Sequence, residues 1–160
     1  MADEGGVDFV LAAYREEGSW QVEALPRHVA DDLDLLTGVL RQRPADSGVL
    51  GLISVDEDFF VAIWVQGPDE RFLLSDVTAA ADWPLARAVL QRLALPLPED
   101  EERVQPGGDL SLFATFGVDS MTVAAICDEI DQYPEDMLAE LAEQMGFGSQ
   151  YEAAVDAAYG

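Results

Sequence analysis

The sequence predicts an α+β fold: a mainly antiparallel sheet of five strands, in the element order ββαβββα, followed by a helical C-terminal segment. Three observations support this prediction. Short apolar stretches alternate with turn residues in the first half of the chain. The spacings between successive strands are too short for parallel crossovers. In the second half, apolar residues recur at helical spacing.

The first elements are a hairpin and a helix. Residues 7–14 are apolar and rich in strand formers, and residues 16–18 are typical of a turn. Residues 20–24 alternate between apolar and polar, as in a strand with one wet face. Asp31 or Asp32 can cap the helix that follows, in which helical spacing relates Leu33, Leu36 and Leu40.

Three more strands are expected at residues 49–55, 59–65 and 71–75. Acidic residues 56–58 form the first turn between them, and residues 67–70 form the second. The middle strand is apolar on both faces, with Phe59, Val61, Ile63 and Val65 on one and Phe60, Ala62 and Trp64 on the other. Such a strand is central and covered on both sides.

A second helix and a linker complete the first half. Asp82 is expected to cap this helix and Pro84 to lie in its first turn. Residues 96–108, rich in Pro, Gly and Glu, are predicted to link an α+β sheet domain of residues 1–95 to a helical segment of residues 109–160. A helical segment of this size rarely stabilises itself, so it should pack on the sheet or on a partner.

The charge of the chain is strongly negative and unevenly distributed. There are 32 acidic residues against 8 basic ones, which gives a net charge of −24, and all eight basic residues are arginines. No basic residue follows Arg103, whereas eleven acidic residues do. Lysine chemistry is therefore excluded, direct binding of nucleic acid is disfavoured, and basic partners are favoured.

The expected location is the cytoplasm. Cys127 is the single cysteine, so no intramolecular disulfide can form, and a reducing compartment is indicated. Residues 1–6 have no basic or apolar signal pattern, and no stretch approaches the ~20 apolar residues of a membrane span.

No catalytic or metal-binding pattern emerges. His28, the single histidine, has no nucleophile pattern around it and is expected in a loop or capping role. Cys127 lies on the apolar stripe of its helix and is expected in the core. The acidic runs at residues 56–58 and 99–102 lack the spacing of a calcium loop, so we expect solvated segments, with no cofactor or metal.

Five short segments are recognisable as a set: Asp58–Ala62, Leu74–Asp76, Cys127–Glu129, Tyr133–Leu138 and Gly146–Phe147. Together they resemble a family of actinobacterial tRNA adenosine deaminase-associated proteins. The resemblance implies association with the deaminase and supplies no catalytic residues. The deaminase itself is excluded, because its zinc site needs H-x-E and P-C-x-x-C, whereas Val29 and Ala30 follow His28 and Cys127 has no second cysteine.

Two hypotheses follow. The favoured one is a non-catalytic interaction protein that binds a tRNA adenosine deaminase or another basic, nucleic-acid-handling protein. Its predicted partner-binding residues are the acidic side chains of one C-terminal helix, Glu135, Asp136, Glu140 and Glu143. The alternative is a small enzyme or ligand-binding domain that uses carboxylates and His28 in a cleft.

Overall fold

The computed structural model describes residues 6–97, 105–129 and 131–159. Within them, six strands form one sheet in which every neighbouring pair is antiparallel. The strands are β1 (Val7–Glu16), β2 (Ser19–Leu25), β3 (Val49–Val55), β4 (Phe59–Gln66), β5 (Asp69–Leu74) and β6 (Gly107–Gly108). Their spatial order is β2-β1-β3-β4-β5-β6, so the antiparallel α+β prediction is confirmed.

The number of strands differs from the prediction by one. Gly107 and Gly108 fall in the segment predicted as a linker, but they pair with Leu74 and Leu73 at the edge of the sheet. Gly108 has a φ of 107°, and a Cβ there would lie 2.3 Å from the carbonyl oxygen of Phe72. Only glycine allows this close backbone approach. Most of the linker, residues 98–104, lies outside the described residues, as does the acidic run at residues 99–102.

In the part of the chain that the structure describes, five α-helices cover the two faces of the sheet. They are α1 (Leu33–Arg41), α2 (Pro84–Arg92), α3 (Ser120–Cys127), α4 (Pro134–Met145) and α5 (Gly148–Tyr159). Their buried side chains divide into two hydrophobic clusters, one shared by α1 and α2 and the other by α3, α4 and α5. The molecule thus has three layers, with the sheet in the middle, and the C-terminal helices pack on the sheet.

Strand β4 joins the two clusters as its sequence predicts. It lies between β3 and β5, and its side chains alternate between the two faces. Phe60, Ala62 and Trp64 belong to the cluster with α3–α5, whereas Phe59, Val61, Ile63 and Val65 belong to the cluster with α1 and α2. The prediction of a central strand covered on both sides is confirmed.

The helix starts confirm one predicted cap and correct another. The Asp32 side chain accepts hydrogen bonds from the backbone N–H groups of Asp34 and Leu35 at the start of α1. Asp82 does not cap α2, because it ends a short 3₁₀ turn over Val77–Ala81. Trp83 instead takes the cap position, without a side-chain hydrogen bond, and Pro84 begins the helix.

The C-terminal helices pack against β2, the edge strand at the opposite side of the sheet from β6. Phe147 is fully buried, and its ring centroid lies 4.4 Å from that of Trp20 on β2. Arg27, which follows β2, donates hydrogen bonds to the carbonyl oxygens of Asp8 and Ala158. Within the described ranges, no helix is long and apolar enough to cross a membrane.

Candidate protein-interaction surface

The uneven distribution of charge along the sequence becomes an uneven distribution of charge between the two faces of the sheet. Residues 109–159, called here the acidic layer, include α3–α5 and carry no basic side chain. On the opposite face of the sheet, the layer with α1 and α2 carries Arg41, Arg43, Arg87 and Arg92. The two faces therefore differ in electrostatic potential, and the more negative one is formed by the C-terminal helices.

The arginines are already engaged within the molecule. Arg103 lies outside the described residues, and each of the other seven arginines contacts another group of the protein. Arg41 and Arg92 both bind Glu70, while two nitrogens of Arg43 lie 3.0 and 3.1 Å from the Glu23 carboxylate. Burial disfavours the charge of Glu70, but the two guanidinium groups outweigh this and lower its pKa. Binding phosphate through these arginines would require breaking such contacts.

The four predicted site residues lie on α4. The inward face of this helix consists of Met137, Leu138, Leu141, Ala142 and Met145, all buried. Asp136, Glu140 and Glu143 are exposed, and their spacing of four and three residues places them on one outward face. The structure therefore brings three of the predicted residues together on the surface of the acidic layer.

Glu135 differs from the other three. It is half-buried, its backbone oxygen accepts a 2.8 Å hydrogen bond from the Tyr151 hydroxyl, and its carboxylate accepts one of 3.2 Å from Tyr159. Burial and the negative charge of Glu135 raise the pKa of both phenols, that of Tyr159 to about 12. Glu135 thus holds α5 against α4 and is less free to meet a partner.

A groove of about 540 Å³ runs between α3 and α4. We call it the α3–α4 groove; it is lined chiefly by Asp119, Met121, Ala125, Glu129, Gln132 and Glu140. Glu140 therefore belongs both to the predicted site and to this groove. Asp119 caps α3 by accepting a 2.8 Å hydrogen bond from Thr122 N–H, which lowers the pKa of its carboxyl group.

A second cavity, of about 460 Å³, adjoins the groove and shares Glu129 and Gln132 with it. This acidic cleft lies between the β3–β4 turn, the end of β5 and the loop before α4, and its carboxylates are those of Glu57, Asp58, Asp76, Glu129 and Asp131. Burial, followed by the charge of Asp76, raises the pKa of Asp58. The cleft is suited to a cationic group, which would relieve this repulsion.

Two potential nucleophiles, Ser75 and Cys127, line the acidic cleft. His28 is exposed and does not line it. The Ser75 hydroxyl accepts a hydrogen bond from Phe60 N–H, and the Cys127 thiol is buried. Nor does any group of three or more His, Cys, Asp or Glu side chains in the described part of the chain have an arrangement that could hold a metal ion.

Cys127 should react slowly with thiol reagents while the protein is folded. Its side chain is in the core as predicted, and burial, together with the charge of Asp128, raises its pKa to about 12. At neutral pH the reactive thiolate is therefore scarce. Labelling should be slow without denaturant and stoichiometric in urea; rapid stoichiometric labelling of the folded protein would contradict the buried placement.

The comparisons with known proteins identify the family. Residues 8–148 match the family described as "Rv3753c-like tRNA adenosine deaminase-associated protein". The chain is also 36% identical over 151 residues to "Protein Rv3753c" of Mycobacterium tuberculosis, covering 92% of this chain and 87% of that protein. The chain belongs to this deaminase-associated family. No solved structure matches it.

Membership confirms the resemblance carried by the short segments of the sequence. Several of these segments, from distant parts of the chain, meet at the acidic cleft, which is lined by Asp58, Ser75, Asp76, Cys127, Glu129, Tyr133, Pro134 and Met137. The matched residues also span both faces of the sheet, from β1 to the start of α5.

The sequence predictions gave no partner-binding role to three groove residues: Met121 on α3, and Asp119 and Glu129 on either side of this helix. One sequence signal was present for Met121. The buried positions of α3 are Val123, Ile126 and Cys127, and Met121 is out of phase with them on a helical projection. The outward position of Met121 could therefore be predicted from helical spacing.

Proposed function

We propose that this protein is a non-catalytic, acidic interaction protein that binds the tRNA adenosine deaminase of its organism in the cytoplasm. The observation that supports this most strongly is the segregation of charge: the acidic layer has no basic residue, and the described arginines elsewhere are held in internal contacts. The family is described as deaminase-associated, and this description is our reason for choosing the deaminase as the partner.

The physical basis is charge complementarity. An enzyme that holds tRNA needs a positively charged surface, because much of its affinity comes from neutralising phosphates. A negative layer on a second protein attracts the same surface and speeds encounter. The bound acidic layer would either stabilise the deaminase or occupy its RNA-binding surface, and competition with tRNA distinguishes these two roles.

Binding should be saturable at low salt and should weaken steeply as salt is added. The Debye length falls from ~8 Å at physiological ionic strength to ~3 Å at 1 M, so attraction between the two surfaces is progressively screened. Titration of the pure deaminase with this protein, followed by calorimetry at several salt concentrations, measures the effect. Absence of binding at low salt would overturn the proposed partner.

The alternative, an enzyme or ligand-binding domain with a carboxylate and His28 cleft, has weaker support. The acidic cleft gathers carboxylates but not His28, the Ser75 hydroxyl is engaged with Phe60 N–H, and burial raises the pKa of the Cys127 thiol. The cleft favours binding of a cationic group, and a basic protein partner carries such groups.

A further inference from the structure

The α3–α4 groove adjoins the acidic cleft, and the two are together called the depression; the groove lies on the acidic layer, and the cleft lies between this layer, the β3–β4 turn and the end of β5. Glu129 and Gln132 line both cavities. Ile126, buried in the core cluster below, also lines the groove, and Ala125 is exposed within it. The depression therefore combines an apolar base with a polar rim, which is the usual composition of a protein-binding groove.

Two large side chains with apolar surface stand exposed along this depression. Met121 is 82% exposed in the groove, and Tyr133 is 58% exposed beside the cleft. A single exposed apolar residue needs no explanation. Two of them along one depression are more informative, because methionine adapts to varied apolar partners and tyrosine is enriched at binding interfaces.

The rim of the depression is acidic and unpaired. The groove contributes Asp119, Glu129 and Glu140. Among the residues that the structure describes, the carboxylates in ion pairs are those of Glu23, Asp34, Glu70 and Asp109, none of which lines the groove or the cleft. The rim charges are thus available for cations from outside the molecule.

We propose that the α3–α4 groove is the docking site for a basic segment of the deaminase, in which an apolar side chain is flanked by lysines or arginines. The apolar side chain packs on Met121, and the flanking cations meet Asp119, Glu129 and Glu140. Charge complementarity selects this occupant: a second copy of this chain would bring a net charge of −24 and few cations, and would be repelled. This inference rests on the proposed function and locates its contact.

The chain offers a closely matched pair of variants. Met121 is the second residue of α3, after the cap Asp119, and Leu35 is the third residue of α1, after the cap Asp32. Leu35 is 44% exposed and lies in the layer on the opposite face of the sheet. Met121→Ser and Leu35→Ser each remove an exposed apolar side chain from the first turn of a capped helix, without changing charge.

Met121→Ser should weaken binding of the deaminase about tenfold, the loss typical of a central apolar contact. Leu35→Ser should leave affinity unchanged. Because the lost contact is apolar, the salt dependence of Met121→Ser should parallel that of the wild type. Hydrogen exchange in α3 should also slow on complex formation, whereas exchange in α1 should not.

The outcomes separate the two proposals. If the wild type does not bind the deaminase, the proposed function and the docking site both fail. If the wild type binds but Met121→Ser and Leu35→Ser bind equally well, or exchange in α3 is unchanged by the complex, the docking site alone is overturned.

Discussion

Replacing Phe147 by alanine should destabilise the protein by about 3–5 kcal/mol, the usual loss for a buried phenylalanine. Phe147 is fully buried, packs on Trp20 of the edge strand β2, and its N–H binds the carbonyl oxygen of Ala142 at the end of α4. The substitution opens a cavity where the acidic layer meets the sheet. A loss of this size is a large part of the stability of a small domain.

Urea unfolding, followed by circular dichroism and tryptophan fluorescence, measures this loss. Met121→Ala is the matched control, because it also truncates a large apolar side chain of the acidic layer but at an 82% exposed position, where a change within about 0.5 kcal/mol is expected. If Phe147→Ala were as stable as this control, the junction of α4 and α5 would not belong to the cooperative core.

The sheet was predictable because its signals are local. Polar and apolar residues alternate along β2 with the two-residue period of strands, and an all-apolar β4 must be covered on both faces. Strand β6 was not predictable, because Gly107 and Gly108 have no side chains whose alternation could indicate a strand. Their pairing with β5 depends on backbone geometry that only the folded chain defines.

The start of α2 differs from the prediction because a hydrogen-bonded 3₁₀ turn precedes it. Asp82 precedes Pro84 at a spacing typical of a capped helix, and the sequence favours it as the cap. In the structure, Asp76 accepts hydrogen bonds from Thr78 and nucleates a 3₁₀ turn that extends to Ala81. That turn places Asp82 at its end and leaves Trp83 before the helix.

The candidate site was predictable only in part. Helical spacing alone shows that Asp136, Glu140 and Glu143 share the outward face of α4. The contacts of Glu135 with Tyr151 and Tyr159 could not be predicted, because they depend on how α5 folds back on α4. The cleft could not be predicted either, because it joins elements that are distant along the chain, and the groove depends on how α3 packs beside α4.

Reversal of charge on the acidic layer should have a large effect on binding of the deaminase. Reversing Glu140 and Glu143 to lysine should weaken binding of the deaminase by about tenfold or more at physiological salt, mainly through a slower association rate. Both residues are exposed and in the middle or last turns of α4, so the substitutions leave the core intact. Asp136 is in the first turn, where its charge also stabilises the helix, and Glu135 is held by tyrosines, so neither is included.

The most direct test of the proposed binding surface compares Glu140→Lys/Glu143→Lys with Glu16→Lys/Glu17→Lys, which reverses two charges at the β1–β2 turn. Both double variants change the net charge equally, so only the location of the reversal differs. Association rates with the deaminase are measured from low salt to about 1 M, where the Debye length is ~3 Å. The acidic-layer variant should associate more slowly at low salt, and its rate should approach that of the wild type as screening increases, while the turn variant stays close to the wild type throughout. Equal effects of the two variants, or binding that is indifferent to salt, would contradict recognition through the acidic layer.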